Sequence, residues 1–187
     1  KARAGLHNWE IRPHRHVALH QFLILVTGGG RLDAEGRVEG FAAPVLIAVP
    51  ASLVHGFAFT PEADGFVLTV AERFLEQCAQ RGFEPPAYPT RVVSAPLDGA
   101  EDRPLLQAAF EFLHRELPWR RTGHARATAA CIDLILVAVS RRMAQPTGAD
   151  GAPPARRLSH NFKQLVNAHA AEGWSVQQYA SALGVGV

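Results

Sequence analysis

From residue 6 to residue 70 glycine and proline cut the chain into short apolar runs, and that punctuation leaves little room for long helices. Leu6–Arg12, Gln21–Val26, Val45–Val49, Val54–Phe59 and Phe66–Val70 are rich in Val, Ile, Leu and Phe. Gly28-Gly29-Gly30, Glu35-Gly36, Pro50-Ala51-Ser52 and Pro61–Gly65 supply turn chemistry between them. Strands of this length with such turns predict an antiparallel sandwich or small barrel.

The pattern then changes period. Ala71–Arg81 reads as a helix, Pro85, Pro86 and Pro89 as a loop, and Arg91–Ser94 as a returning strand. Asp102 is placed to cap the next helix and Pro104 suits its first turn, with Leu106, Ala109, Phe110, Leu113 and Leu117 at helical spacing. A second helix is expected from about His124 to Met143, and its centre, Cys131–Val139, has Asp133 as its one polar residue. A helix apolar all round must be covered on more than one side. The β-domain can cover one side and a second subunit the other, so Ile132, Ile135, Leu136 and Val139 are the expected homodimer face. Burial in a single core is the alternative, and the β-branched residues leave a strand open as well. Gln145–Ala155, with two glycines and three prolines, reads as a linker.

Trp174–Gly184 has the features of the first half of a helix-turn-helix. Ser175 and Gln178 form a capping-box pattern, Ala180 is small enough for close helix approach, and Gly184 suits the turn. The helix that enters a major groove would follow. The chain reaches Val187 first, so the recognition helix is expected to be absent from it and promoter binding to belong to a longer protein. A small helix pair with no nucleic-acid role is the alternative. Lys1 is not an initiator methionine, so residues are expected to precede it too. The net charge of +2 does not by itself announce nucleic-acid binding, although Arg156, Arg157 and Lys163 lie close to this motif. Cys78 and Cys131 are far apart without CxxC spacing, which fits reduced thiols and a cytoplasmic location. No apolar run approaches a membrane span and no signal peptide is visible, so no membrane role is expected.

The chemistry-bearing residues are histidines. On an extended strand His14 and His16 face the same side, joined by Ala18 and His20 if the strand continues unbroken. Pro50–Phe57 brings a further imidazole, His55, beside a turn. Such a cluster suits a divalent metal, and it equally suits hydrogen bonding to an anionic small molecule. Surface histidines beside a proline turn are the ordinary alternative.

His14-x-His16, Gly28 and Pro50-x-Ser52-x-x-His55 resemble the paired motifs of cupin barrels. Enzymatic cupins carry a glutamate in the first motif; here His20 or Gln21 stands in its place, Ser52 replaces the usual glycine, and Phe59 stands where asparagine is common. A cupin-like sensor followed by two helices, a linker and a helix-turn-helix opening resembles the AraC/XylS-type transcription regulators. Within them the sensor is similar to regulators of hydroxybenzoate or hydroxyphenylacetate breakdown, through His14-Arg15-His16, His20-Gln21, Gly28-Gly29-Gly30, Val49-Pro50, His55-Gly56-Phe57 and Gly65–Thr69.

The resemblance implies a mixed fold: a cupin-like effector barrel over 1–98, a helical dimerisation segment over 99–143, a linker over 144–156 and a partial helix-turn-helix over 157–187. It implies an effector-responsive regulator, expected to be an activator, that senses a small aromatic carboxylate such as 4-hydroxybenzoate. His14, His16, His20, Gln21, His55 and Phe57 are the expected ligand-binding residues. Phe22 or Leu23, Leu25 and Phe59 are candidates for a ring slot, and strand alternation argues against Arg15. No cofactor is required, while zinc or iron would sit on His14, His16 and His55. The competing expectation is a metal-dependent cupin isomerase or dioxygenase acting on a small acid.

Overall fold

Continuous apolar runs and alternating ones lie in different sheets. The computed structural model describes residues 9–79, 89, 91–119, 121–144, 158, 162, 165, 166, 169 and 172–185. They divide into two units, Lys1–Gln145 and Pro146–Val187. In the first unit β1 (Glu10–His14), β3 (Gly29–Ala34), β4 (Arg37–Ala42) and β6 (His55–Phe59) form one antiparallel sheet, ordered β1-β6-β3-β4. The other sheet takes β2 (Leu19–Thr27), β5 (Val45–Val49), β7 (Asp64–Ala71) and β8 (Val93–Pro96), ordered β7-β2-β5-β8. Three helices follow or interleave: α1 (Glu72–Ala79), α2 (Arg103–Trp119) and α3 (His124–Ala144).

The second sheet is covered on both faces, which explains why all five residues of β5 are buried. Odd-numbered residues of β2, Leu23 and Leu25, pack between the sheets with Leu32, Val45, Ile47 and Phe57. Even-numbered Phe22 and Ile24 pack against Leu106, Phe110, Leu113 and Ile135 of the helices. Each large side chain so buried contributes roughly 1.5–3 kcal/mol of transfer free energy. By contrast β4 is almost wholly exposed, so it carries no apolar run to announce it. Gly29 and Gly30 lie within β3, and the hairpin joining β3 to β4 turns at Glu35 and Gly36, both with positive φ (52° and 80°). Two left-handed residues in a two-residue loop match the strands' twist.

The closed barrel expected from the sequence does not form among the described residues. No ladder joins the two sheets; β1 and β4 edge one, β7 and β8 the other. The chain instead crosses between sheets at corners, from β2 to β3 at Gly28, from β4 to β5 at Ala43-Pro44 and from β6 to β7 over 60–63. The corners are tied to one another, with Ala43 N–H donating to Gly28 O and Thr60 N–H to Gly29 O, each at 2.9 Å. Gly28 is required there: its φ is +74°, and a Cβ would meet the Ala63 backbone at 2.5 Å.

The apolar centre of α3 is helical, and its covering is internal. Ile132, Ile135, Leu136 and Val139, expected to face a second subunit, are buried in the core shared with α2 and the second sheet. The helix is apolar on several sides because a sheet and a helix of the same chain both lean on it. Asp102 immediately precedes α2, as its capping chemistry suggests, yet its carboxylate also reaches across to α3. Both oxygens accept from Arg142 at 2.8 Å, which holds the carboxyl below its usual range, chiefly through this hydrogen bonding. Arg91 donates to Met143 O at 3.1 Å, a second tie on the last turn of α3.

In the second unit α4 (Val176–Ala182) carries the expected capping box: Gln178 N–H donates to Ser175 Oγ at 3.4 Å and Ser175 N–H to Gln178 Oε1 at 2.8 Å. It ends as the sequence suggests, at Gly184 with φ +65°, where Gly184 N–H donates to Ser181 O and Val185 N–H to Ala180 O. Trp174 stacks on His169 at 3.7 Å between ring centroids, and Tyr179 meets Phe162 edge-on at 5.6 Å. Residues 162, 165, 166 and 169 are helical. The linker expected over 144–156 lies outside the described residues except for Ala144, the last residue of α3, and Arg156, Arg157 and Lys163 lie outside them altogether.

Candidate functional site

Three of the four candidate histidines meet at one end of the space between the sheets. His14 ends β1 and pairs across the ladder with His55, the first residue of β6. The ladder is irregular between Ile11 and His14, where β1 passes so close to Gly56 that a Cβ there would meet Ile11 O at 2.8 Å and Pro13 N at 3.0 Å. Glycine at 56 therefore lets β1 lie against β6. His16 follows in the turn, and its carbonyl accepts from Ser52 N–H at 2.8 Å. Ser52 stands where the cupin pattern has glycine, and its φ of +64° is the conformation that glycine would adopt freely.

The side chains converge through their Nε2 atoms. His14 Nε2 and His16 Nε2 are 3.1 Å apart, Gln21 Nε2 is 3.1 Å from His16 Nε2, and His55 Nε2 is 2.8 Å from Gln21 Oε1. One potential ligand atom from each of the three histidines lies within 4.8 Å of the others. On the far side of two rings, His14 Nδ1 lies 2.9 Å from Arg12 O and His55 Nδ1 2.9 Å from Leu53 O. His55 is buried and its pKa is lowered, first by loss of solvation, then by the neighbouring His14 and His16; the bond to Leu53 opposes this. The neutral imidazole is favoured there.

The unbroken face expected from His14 to His20 does not form. β1 ends at His14, Ala18 takes φ +60°, and β2 restarts at Leu19 out of phase. Gln21 consequently points between the sheets toward the cluster, while His20 shares the helix-facing side with Phe22. His20 is 4% exposed, its Nδ1 accepts from Ala51 N–H at 3.4 Å, and Glu72 Oε1 is 4.0 Å from its Nε2. Glu72 would favour a charged ring, but burial outweighs a half-exposed carboxylate at that distance and pushes the pKa down to about 4. Phe22, one candidate for the ring slot, is likewise on the helix side. Arg15 is exposed.

Beside the imidazoles lies an aromatic wall. Phe57 meets His55 edge-on at 5.9 Å and stacks on Phe59 at 5.4 Å, while Phe41 is edge-on to both phenylalanines. Phe41 was not among the sequence candidates; its signal is weak, being the one half-buried side chain on an otherwise exposed strand. The Leu53 and Arg12 carbonyls that orient the rings carry no sequence signal at all. A groove of about 530 Å³ at the corner end is lined by Gly28, Gly30, Arg31, Phe41 and Phe59.

No family model matches the chain, and no curated protein matches it. Its fold is shared with a solved structure, that of the AraC-like transcriptional activator CuxR. The match has a TM-score of 0.50 at 13% identity and covers 91% of this chain and 58% of that one. The chain therefore spans less than two thirds of that activator's length. At this identity the likeness is one of fold alone. No helix among the described residues is long and apolar enough to cross a membrane.

Proposed function

We propose that this chain is the sensing portion, with the opening of the DNA-binding portion, of an AraC-type transcription regulator that responds to a small aromatic carboxylate. The observation that carries this reading is the fold shared with an AraC-like activator across 91% of the chain. The capping box and glycine stop of α4 add to it, since they suit the first helix of a helix-turn-helix. The effector would lie against the histidine cluster, with His14, His16, Gln21 and His55 at its acid group and Phe57, which packs edge-on to His55, on the side of its ring. His20 is left out of this set because it faces the helices.

Effector binding biases DNA binding only if it favours one arrangement of the regulator over another. A coupling of about 1–3 kcal/mol changes operator affinity roughly 5–150-fold. Pairing of two copies belongs to the same proposal, through a surface other than Ile132, Ile135, Leu136 and Val139; α2 leaves Leu105, Leu117 and Trp119 exposed. Sedimentation with Leu105→Glu against wild type tests that pairing.

The main test is a thermal-shift panel of aromatic acids on this chain. A binding acid raises the melting temperature without being consumed, and the same acid alters operator affinity of the whole regulator. A panel with no shift overturns the effector class. The three histidines also support the enzyme reading, which demands chelator-sensitive turnover of the acid.

A further inference from the structure

The turn that leads into β6 is tied down from two sides. Ser52 N–H donates to His16 O at 2.8 Å, Leu53 O accepts from His55 Nδ1 at 2.9 Å, and Val54 O accepts from Glu35 N–H at 3.0 Å. Those ties run to the histidine cluster and to the sheet that carries it. Ala51 N–H goes the other way, donating to His20 Nδ1 at 3.4 Å. Such support is needed, because Ser52 has φ +64°, a conformation that a residue other than glycine adopts at a cost. The turn in return mounts two rings of the cluster, His16 through its backbone and His55 through its Nδ1. Any shift of residues 51–53 moves both.

His20 is well built for this contact. A ring nitrogen that accepts from a backbone N–H carries no proton, so the neutral ring has its proton on Nε2, the nitrogen 4.0 Å from Glu72 Oε1. Burial among the helix-facing side chains favours the same neutral form. Glu72 is itself fixed, since it opens α1 and its N–H donates to Ala18 O at 2.9 Å, two residues beyond His16. The ring therefore stands between the first residue of α1 and the turn. Its neighbour Gln21 enters the cluster from the opposite face of the same strand. One dipeptide of β2 thus touches the cluster directly and braces its mounting from behind.

We propose that His20 is a positioning residue for the site: through its Nδ1 it holds the turn at Ala51–Leu53 and so sets where the His16 and His55 rings stand, without touching the bound acid. The effect on affinity rests on the acid-binding reading of the cluster above; the placement of the rings does not.

The test compares His20→Asn, His20→Gln and His20→Leu in the whole chain at neutral pH. The Asn side-chain oxygen can stand where Nδ1 does and accept from Ala51 N–H. The longer Gln carries the same amide out to the position of Nε2, and Leu accepts nothing. Two readouts are taken on each cooperatively melting variant: the imidazole signals of His16 and His55 in long-range proton–nitrogen spectra, and affinity for 4-hydroxybenzoate. In His20→Gln and His20→Leu both sets of ring signals are expected to move and the acid to bind about tenfold more weakly; His20→Asn is expected to return both toward wild type. Should Leu repack the helix side, the two amides still decide the matter. Ring signals unmoved in His20→Gln overturn the proposal. So does a common loss of melting temperature in all three variants with no separation of Asn from Gln in the spectra, which is the mark of a purely structural role. A wild-type chain that binds no aromatic acid defeats the effector class, while the ring signals still report whether His20 places the cluster.

Discussion

His20 and Gln21 are neighbours on β2 and face opposite environments. Gln21 looks between the sheets, where His16 and His55 lie within 3.1 Å of its amide. His20 looks toward the helices, beside Phe22 and close to Glu72. A strand's period of two makes this separation absolute: one residue of register decides between a polar cluster and a core. A histidine in this chain therefore has no fixed meaning. Burial among other polar groups yields a cluster with ligand geometry, and burial on the helix side yields a ring held neutral.

The largest expected effect contrasts the two faces directly. Phe22→Ala, on the helix side at 0% exposure, should cost about 3–5 kcal/mol in chemical denaturation. Gln21→Ala, one residue away, should cost under about 1.5 kcal/mol while weakening the acid binding proposed for the cluster. Equal destabilisation by both would erase the distinction between core face and site face.

The pH dependence of His20 comes next. Its pKa is near 6.5 in the unfolded chain and about 4 in the folded one. Between those values the unfolded state binds the extra proton, so stability is complete above about pH 6.5 and falls as pH drops toward 4. The loss should be about 2–3 kcal/mol after allowing for solvent screening. In His20→Leu that part of the acid slope should flatten, as read from denaturation midpoints across pH 4–7. A slope unchanged by the substitution would assign the acid sensitivity elsewhere.

Asp102→Asn probes the tie that closes the helical layer. Losing a two-bonded, part-exposed pair with Arg142 should cost about 1–2 kcal/mol, with acid binding between the sheets unchanged. Smallest is Ser175→Ala, worth about 1 kcal/mol to α4. Hydrogen exchange should show that loss confined to the second unit, and loosening of the β-domain would contradict it.

Much of this architecture was legible in the residues. The apolar runs located β2, β5, β6 and β7, the helical spacing located α2 and α3, and Ser175, Gln178 and Gly184 marked both ends of α4. Strands β3 and β4 were missed, the first because Gly29 and Gly30 read as a turn, the second because Arg37–Ala42 is exposed and has no apolar side to declare it. Closure into a barrel was expected from motif likeness, yet closure is a matter of hydrogen bonding between edge strands, which no motif encodes. The dimer face on α3 was inferred from all-round apolarity, and that property cannot distinguish a partner subunit from the chain's own sheet and helix.

In the site, His14, His16 and His55 were legible as residue types beside turns, and Gln21 as a stand-in for a carboxylate. Their meeting was not, because it depends on three backbone details. The left-handed Ala18 breaks the strand and resets its phase, Ser52 N–H anchors the His16 carbonyl, and Gly56 admits β1 against β6. Local chemistry, set by side-chain type and by the preferences of glycine and proline, was determined along the chain itself. Which face each strand shows, and so which histidines meet, was decided only when the two sheets and the helices packed, because register and burial are properties of the assembled layers.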